Sequence, residues 1–321
     1  MAKNREEARI RRIRFVRKSY RNLTAPLAIM FLTYSTKVHP SYGMTWSKRV
    51  RLGFRFWRNH SNVRSGTSWR AHLVIAMRLL ETPPEVQGSV VECGCWKGGA
   101  TVNLSIAADI TGRKLKVYDS FKGLPPPSQG DPVAEHSFRN GFKAGVFGGT
   151  LEEVSANVRQ YGAIEACEFY PGWFEDSLPH HEGDIVLAFW DVDFYSSLHD
   201  CLINLWPSVV DGGFVFLDEY RNIPYCAVFY SEKYWDKYFS TVPPGLVGIG
   251  TGIQVGMIYP DHRVPIMGPT GRTRVMSPES IGYCIKGTRA IWEYYPDEIE
   301  AANKKDPPVD PAVDHQPTKL V

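Results

Sequence analysis

The stretch Val91-Glu92-Cys93-Gly94-Cys95-Trp96-Lys97-Gly98-Gly99 decides the fold, because it joins a short β-branched run to a segment, 100–110, with apolar residues at helical spacing. A strand that passes through a glycine-rich turn into a helix is the start of a βαβ unit. The glycine spacing, G-x-x-x-G-G, differs from the G-x-G-x-x-G of dinucleotide sites. Glu92 would repel a pyrophosphate and suits a ligand with an ammonium or sulfonium group. A tight structural turn is the alternative interpretation.

Strand and helix patterns alternate downstream of this turn. Strands are predicted at 88–93, 114–119, 168–170, 185–190, 213–217 and 253–259, and helices at 100–110, 150–161, 195–206 and 227–239. Thr150 and Glu153 predict a capping box at the helix 150–161. Strands spaced by helices indicate βαβ units, so we predict an α/β fold with a Rossmann-like, doubly wound, mostly parallel sheet. We place this domain at 65–293, between a basic helical N-terminal extension, 1–64, and a polar tail, 294–321, that we expect to be disordered.

Charge is distributed unevenly along the 321 residues. Residues 1–70 contain 17 lysines and arginines and two acids, whereas the remaining residues contain 20 basic and 32 acidic side chains. We expect the basic segment to pack as a helix on the body or on a partner subunit of a homo-oligomer, with an anionic membrane surface as the second interpretation. We expect no specific nucleic-acid partner. No apolar run reaches the roughly 18 residues that span a bilayer, and six cysteines without a CxxC pair suggest reduced thiols. A cytoplasmic location is therefore expected.

A second strand ends in residues that suit a nucleoside. Asp119-Ser120 lies about twenty residues after the glycines, where an acid accepts hydrogen bonds from both ribose hydroxyls in nucleoside-binding βαβ units. An aspartate that caps a turn is the common alternative. Together with Glu92, and without a phosphate-binding fingerprint, this pattern predicts S-adenosylmethionine as the cofactor.

Four carboxylates follow two later strands, in Asp191-Val192-Asp193 and Asp218-Glu219. Ligands of open α/β sheets bind beyond the carboxyl ends of the strands, so these side chains are expected at one edge. Oxygen ligands without histidine or cysteine suit a hard cation such as Mg²⁺. A solvated acidic rim is the alternative.

Five segments form an ordered set over roughly residues 65–260. They are the stretch 91–99, Tyr118-Asp119-Ser120-Phe121-Lys122-Gly123-Leu124-Pro125, Gly172-Trp173-Phe174-Glu175-Asp176-Ser177-Leu178-Pro179, Asp191-Val192-Asp193-Phe194-Tyr195-Ser196-Ser197 and Asp218-Glu219-Tyr220. In residues and order this set resembles the motifs of the macrocin O-methyltransferase family. The resemblance implies a class I methyltransferase fold. It also implies that S-adenosylmethionine and Mg²⁺ are used to methylate sugar hydroxyls, as on macrolide antibiotics.

The resemblance further implies roles for single residues. Cofactor-binding positions would be Glu92, Gly94, Lys97 and Gly98 at the methionine end, Asp119 and Ser120 at the ribose, and Gly172 and Trp173 at the adenine. Metal ligands would be Asp191, Asp218 and Glu219, with Asp191 also contacting the cofactor and acting in catalysis. The family usually has an aspartate where Glu219 stands. Catechol-type enzymes have a lysine where this chain has Phe194, so Asp191 and Asp193 both remain candidates for the base.

The expected reaction is methyl transfer to one hydroxyl of a vicinal diol, on a sugar or a glycosylated natural product. Mg²⁺ would chelate both oxygens and lower the pKa of one hydroxyl. Two other classes stay open. The D-x-D of residues 191–193 also fits a glycosyltransferase that holds a nucleotide sugar through Mn²⁺, and a non-catalytic binding protein could use a methyltransferase scaffold.

Overall fold

A central sheet organises the protein. The computed structural model describes residues 23–34, 36–128, 143–220, 223–249 and 281–287. Within these residues, strands β1 to β7 span Ser89–Cys93, Leu115–Asp119, Cys167–Pro171, Ile185–Trp190, Val209–Leu217, Val247–Gly248 and Gly282–Ile285. Their order in the sheet is β3-β2-β1-β4-β5-β7-β6.

The first five strands run parallel, and β7 pairs antiparallel with both β5 and β6. Strand β4 lies in the middle, and all six of its residues are buried. A continuous apolar strand of this kind is typical of a parallel sheet with both faces covered. The predicted α/β class, doubly wound with a mostly parallel sheet, is therefore confirmed.

Nine helices surround the sheet in the described part of the chain. Helix α1 occupies 23–34, and α2 to α9 span Trp46–Asn62, Trp69–Glu81, Gly99–Ile110, Leu151–Tyr161, Phe174–Ser177, Tyr195–Leu205, Ile223–Cys226 and Glu232–Phe239. Thr150 caps α5, because its hydroxyl accepts a hydrogen bond from the Glu153 backbone N–H at 3.2 Å. The Glu153 carboxylate pairs with Lys97 of the β1–α4 turn, so half of the predicted capping box forms.

Helices α1 and α2 belong to the same packing unit as the sheet. Buried side chains of both helices, such as Ile29 and Phe56, share one apolar core with residues of α3, α4 and the strands. At Gly53 the helices approach so closely that an added Cβ would lie 2.6 Å from Ile29. The boundary predicted at residue 64 therefore does not separate two packing units in the described residues.

Two predicted elements differ from the structure by more than one residue at an end. The helix predicted at 227–239 is divided: Ala227–Tyr230 forms a single tight turn, and Ser231 then caps α9 by accepting from the Tyr234 backbone N–H. Strand β5 begins at Val209, before the predicted start at Gly213. Two adjacent glycines, Gly212 and Gly213, are typical of a turn, and Gly212 has a positive φ of 79°, but the strand continues through both.

Several predictions concern residues outside the described ranges. These are the basic helix within 1–22, the strand at 253–259 and the tail 294–321. None of the described helices is both long enough and apolar enough to cross a bilayer.

Candidate active site

A cavity of about 750 Å³ opens at the carboxyl ends of the parallel strands. Its wall is formed by the segments that follow β1, β2, β3, β4 and β5, together with Ser65 and Gly66 from the α2–α3 loop. This volume lies within the range of small-molecule sites. The carboxyl edge of a parallel sheet is also where open α/β folds bind ligands.

The turn after β1 is fixed by backbone contact with β4. Gly94 has a φ of 82°, and a Cβ at this position would lie 1.9 Å from the Asp191 carbonyl oxygen. The Asp191 backbone N–H donates to the Cys93 carbonyl at 2.9 Å. No side chain can therefore replace the hydrogen of Gly94 without moving one of the two strand ends.

Asp119 joins the first two strand ends through its carboxylate. One oxygen accepts from the Cys95 backbone N–H and the other from the Phe121 backbone N–H, each at 2.7 Å. Burial raises the pKa of Asp119, and these two hydrogen bonds oppose the rise. The neighbouring Ser120 hydroxyl donates to the Gly123 carbonyl at 2.8 Å and so closes the following turn. Both residues line the cavity.

Glu92 lies behind the cavity wall. Its side chain is fully buried, and neither carboxylate oxygen has a hydrogen-bond partner of ordinary geometry among the described residues. Burial raises the pKa of Glu92 to about 8; the adjacent Thr101 hydroxyl opposes the rise and the Asp119 charge adds to it. Burying a carboxylate without a hydrogen-bond partner costs free energy. A positive group bound close to Glu92 would reduce that cost.

The remaining residues predicted to bind the cofactor divide into two groups. Gly172 and Trp173 line the cavity, and the Gly172 backbone N–H donates to the Asp119 carbonyl at 3.0 Å. Lys97 and Gly98 are not part of the cavity wall. The Lys97 ammonium pairs with Glu153, and a Cβ on Gly98 would touch Val154 of α5, so these two residues hold α5 against the β1–α4 turn.

Three carboxylates meet at the ends of β4 and β5. Oxygens of Asp191, Asp193 and Glu219 lie within 4.8 Å of one another, close enough to share one cation. Glu219 accepts a hydrogen bond from the Asp193 backbone N–H at 3.0 Å, and its second oxygen is buried without a partner among the described residues. Asp193 has a positive φ of 61°, a left-handed conformation that aspartate adopts more readily than most residues and that turns the chain directly after β4.

The electrostatics of this cluster reflect loss of hydration and mutual repulsion. Burial raises the pKa of Asp191 strongly, and the charges of Asp218, Glu219 and Asp193 add to that rise. Burial and Asp218 raise the pKa of Asp193 to about 7. Without a bound cation, protonation relieves this repulsion between the carboxylates. A bound cation would relieve the repulsion while the carboxylates remain ionised.

The cluster differs in one member from the predicted metal set. The structure groups Asp193 with Asp191 and Glu219, whereas the prediction named Asp218 as the third ligand. Asp218 lies at the same edge and lines the cavity. Asp193 has a positive φ directly after β4, and a D-x-D pattern gives no sign of such a turn.

The sequence analysis missed the contribution of the α2–α3 loop. The Thr67 hydroxyl donates to Asp191 at 3.2 Å, and Ser65 and Gly66 line the cavity. The signal in the sequence is weak, since the run Ser65-Gly66-Thr67-Ser68 resembles any polar turn before a helix. Ser68 does cap α3.

A buried polar network holds this loop. The Asn59 amide donates to the Asn103 side-chain oxygen at 2.9 Å, which leaves the Asn103 amide to donate to His72 Nδ1 at 3.0 Å. Burial lowers the pKa of His72 to about 3, so the ring is neutral and carries its proton on Nε2, which faces the Ser65 hydroxyl at 3.4 Å.

Comparison with known proteins adds a family and several relatives. Residues 66–238 match the sequence model of the family described as macrocin-O-methyltransferase (TylF). The chain is 33% identical over 177 residues to demethyldecarbamoylnovobiocin O-methyltransferase of Streptomyces niveus, covering 50% of this chain and 68% of the relative. It is 31% identical over 172 residues to mycinamicin III 3''-O-methyltransferase of Micromonospora griseorubida, covering 49% and 67%.

Two further similarities extend this comparison. The chain is 36% identical over 140 residues to 8-demethyl-8-(2,3-dimethoxy-alpha-L-rhamnosyl)-tetracenomycin-C 4'-O-methyltransferase of Streptomyces olivaceus, covering 42% of this chain and 54% of the relative. The solved structure of the O-methyltransferase NovP aligns with a TM-score of 0.52 at 24% identity, covering 85% of this chain and 99% of that chain. This structural likeness shows the fold.

Proposed function

The chain belongs to the macrocin O-methyltransferase family, and from this premise we propose that it methylates a hydroxyl group on a sugar or a glycosylated natural product. It is an S-adenosylmethionine-dependent O-methyltransferase. The observation that carries the acceptor proposal is one cavity that joins the Gly94 turn and Asp119 to the carboxylates ending β4 and β5. The names of the relatives, which include a rhamnosyl acceptor, support a sugar hydroxyl.

The described residues fit S-adenosylmethionine. Each oxygen of Asp119 holds one backbone N–H and retains a lone pair, so both ribose hydroxyls can donate to it. Gly94 lets the backbone approach the ligand, and Gly172 with Trp173 offers a surface for the adenine. The orphaned carboxyl of Glu92 lies behind this turn, where the positive charge of the methionine part of the cofactor would compensate it.

The acidic cluster fits Mg²⁺. Asp191, Asp193 and Glu219 offer three carboxylate oxygens and no softer ligand, which is the donor set of a hard cation. These residues would hold the ion, with Asp218 beside them. When bound, the cation stabilises the deprotonated form of an acceptor hydroxyl and fixes its position, which suits a vicinal diol.

The chain's own carboxylates orient the acceptor and remove its proton. Asp191 and Asp193 both line the cavity, and either can accept the hydroxyl proton as the methyl group is transferred. Thr67 holds Asp191 in place through its hydroxyl. We assign the base to Asp191, with Asp193 as the alternative.

The charge of the cavity restricts the acceptor. Six carboxylates line it, and no lysine, arginine or histidine does so within the described residues; the acids are Asp119, Glu175, Asp191, Asp193, Asp200 and Asp218. A phosphate on the acceptor would be repelled by this wall. The acids outside the proposed metal cluster, such as Glu175 and Asp200, therefore favour a neutral or amine-bearing sugar over a phosphorylated one.

The test is methyl transfer from deuterium-labelled S-adenosylmethionine to matched acceptors, followed by mass spectrometry. A neutral glycoside with a vicinal diol should gain one labelled methyl group, and its phosphorylated counterpart should react at least about tenfold more slowly. Asp119→Asn is the control, since it should weaken binding of S-adenosylhomocysteine. Saturable binding of nucleotide sugars without binding of S-adenosylhomocysteine would refute the proposal, and cofactor binding without any turnover would indicate a binding protein.

A further inference from the structure

Tyr225 of helix α8 has a buried hydroxyl for which packing alone gives no reason. The side chain is fully buried in the same apolar cluster as residues of β4 and β5. Its hydroxyl has no hydrogen-bond partner of ordinary geometry among the described residues. A buried tyrosine hydroxyl usually has a partner, since an unsatisfied polar group in a dry interior costs free energy. Phenylalanine would fill nearly the same space without that cost, so we expect the hydroxyl to serve a group close to it.

The group close to this hydroxyl is the carboxylate of Glu219. The Cys226 thiol, next to Tyr225 in α8, donates to the Glu219 carbonyl at 3.5 Å and to the Tyr220 carbonyl at 3.2 Å. Helix α8 is thus bound to the segment that carries Glu219. Burial raises the pKa of Tyr225, and the neighbouring charge of Glu219 is the next cause of that rise. Both observations place the end of Glu219 beside the Tyr225 ring.

One oxygen of the Glu219 carboxylate is still in need of a donor. Its Oε1 accepts from the Asp193 backbone N–H at 3.0 Å, whereas Oε2 is buried and has no partner among the described residues. Within α8, only Tyr225 and Cys226 have a side-chain hydrogen to donate, and the Cys226 thiol is directed to backbone carbonyls. The Tyr225 hydroxyl is therefore the side-chain donor that α8 offers to Oε2.

We propose that Tyr225 is a positioning residue whose hydroxyl donates to Oε2 of Glu219 and fixes the orientation in which that carboxylate holds the cation. The inference rests on the metal site of the proposed function. The bond would satisfy two buried polar atoms at once. A carboxylate that accepts one hydrogen bond at each oxygen keeps lone pairs for a cation. Partners of this kind orient metal ligands, and their loss commonly weakens metal binding by about ten- to a hundredfold.

The experiment titrates the full chain with Mn²⁺ alone, a cation that carboxylates also bind, and follows the electron paramagnetic resonance signal of the free ion. Tyr225→Phe should raise the dissociation constant of Mn²⁺ about tenfold or more. Tyr234→Phe is the matched control and should bind Mn²⁺ as the wild type does, because its hydroxyl pairs with His199 at 2.7 Å instead of a carboxylate. Calorimetry should show unchanged affinity for S-adenosylhomocysteine in both variants, which verifies that each is folded.

A double-mutant cycle shows whether Tyr225 acts through Glu219. In a Glu219→Ala background, which lacks the carboxylate, Tyr225→Phe should change the Mn²⁺ dissociation constant by less than about twofold. An equal loss of affinity in both backgrounds would overturn the inference, since Tyr225 would then act on the site by another route. Wild-type Mn²⁺ affinity in Tyr225→Phe would overturn this inference alone and leave the metal site standing. A wild-type protein that binds S-adenosylhomocysteine but no Mn²⁺ would overturn the metal site and this inference together.

Discussion

The buried carboxyl of Glu92 should make the free energy of unfolding depend on pH. The substitution Glu92→Gln should remove this dependence. The folded state holds Glu92 with a pKa of about 8, against an ordinary value of 4.5. A raised pKa means that the folded state binds the proton more tightly than the unfolded chain does. The stabilising contribution of the protonated group is therefore complete below pH 4.5 and is lost as pH rises toward 8.

The size of this effect follows from the two pKa values. A difference of one pKa unit corresponds to about 1.4 kcal/mol, so the full span amounts to about 5 kcal/mol, and about 3 to 4 kcal/mol of it falls between pH 5 and pH 8. Glu92→Gln keeps the shape of the side chain and has no proton to lose. Relative to wild type, the free energy of unfolding of this variant should thus rise by about 3 to 4 kcal/mol across that interval.

Urea denaturation at closely spaced pH values measures the difference directly. Subtracting the wild-type curve from the variant curve removes the contributions of the other acids, because both proteins share them. Glu85→Gln, which removes a carboxylate from an exposed position, is the control and should give a flat difference. Parallel curves of unfolding free energy against pH for wild type and Glu92→Gln would refute the reasoning. They would mean that Glu92 has the same pKa in the folded and the unfolded state.

The same group offers a readout on the cofactor. If the positive methionine end of the cofactor compensates Glu92, binding of S-adenosylhomocysteine near pH 7 should release a proton. Calorimetry in buffers of different ionisation enthalpy counts that proton, and Glu92→Gln should abolish the release. An equal release in the variant would place the proton on another residue.

Three further predictions concern the metal, the turn after β1 and the N-terminal helices. EDTA should abolish methyl transfer and Mg²⁺ should restore it, and full activity in excess EDTA would contradict the metal site. In Mg²⁺ titrations followed by turnover, Asp193→Asn should weaken Mg²⁺ affinity at least as much as Asp218→Asn does. Gly94→Ala should lower the free energy of unfolding, measured by urea denaturation, by about 3 kcal/mol or more. Gly112 also has a positive φ but has open space around it, so Gly112→Ala should lower it by only about 1 kcal/mol. Equal losses would show that the turn after β1 can relax. Deleting residues 1–62 should prevent cooperative folding, as monitored by thermal denaturation, because α1 and α2 contribute to the core; a stable truncated domain that binds S-adenosylhomocysteine would contradict this.

The central strands and the acidic edge of the sheet could be predicted because their signals are local. The run 185–190 has no polar residue, which predicts a buried strand. The observed strand β4 has the same bounds as the predicted one. Asp119 ends one strand and Asp191 follows another, and the topology of a parallel sheet alone brings them to one edge. Local sequence and general topology were sufficient for these features.

The N-terminal helices and the membership of the acidic cluster could not be predicted in the same way. The charge of residues 1–70 predicted a basic helical extension that packs on the body or on a partner subunit, whereas Phe56 of α2 is fully buried within the core of the domain itself. The grouping of Asp193 with Glu219 includes a hydrogen bond between residues 26 positions apart, and the contact of Thr67 with Asp191 joins residues 124 positions apart. Such features arise from tertiary packing and leave no periodic trace in the chain.

The buried network from Asn59 through Asn103 and His72 to Ser65 has a geometric consequence for the site. Apolar side chains allow two packed helices to slide or rotate by part of a turn at modest cost, whereas hydrogen bonds in a dry interior are satisfied in one arrangement only. The network therefore sets the rotational register of α2 and α3 against α4. Because Thr67 lies in the loop between α2 and α3, its reach toward Asp191 is determined by that register. Burial lowers the pKa of His72 to about 3, so the ring stays neutral near neutral pH and its protonation does not disturb the register there.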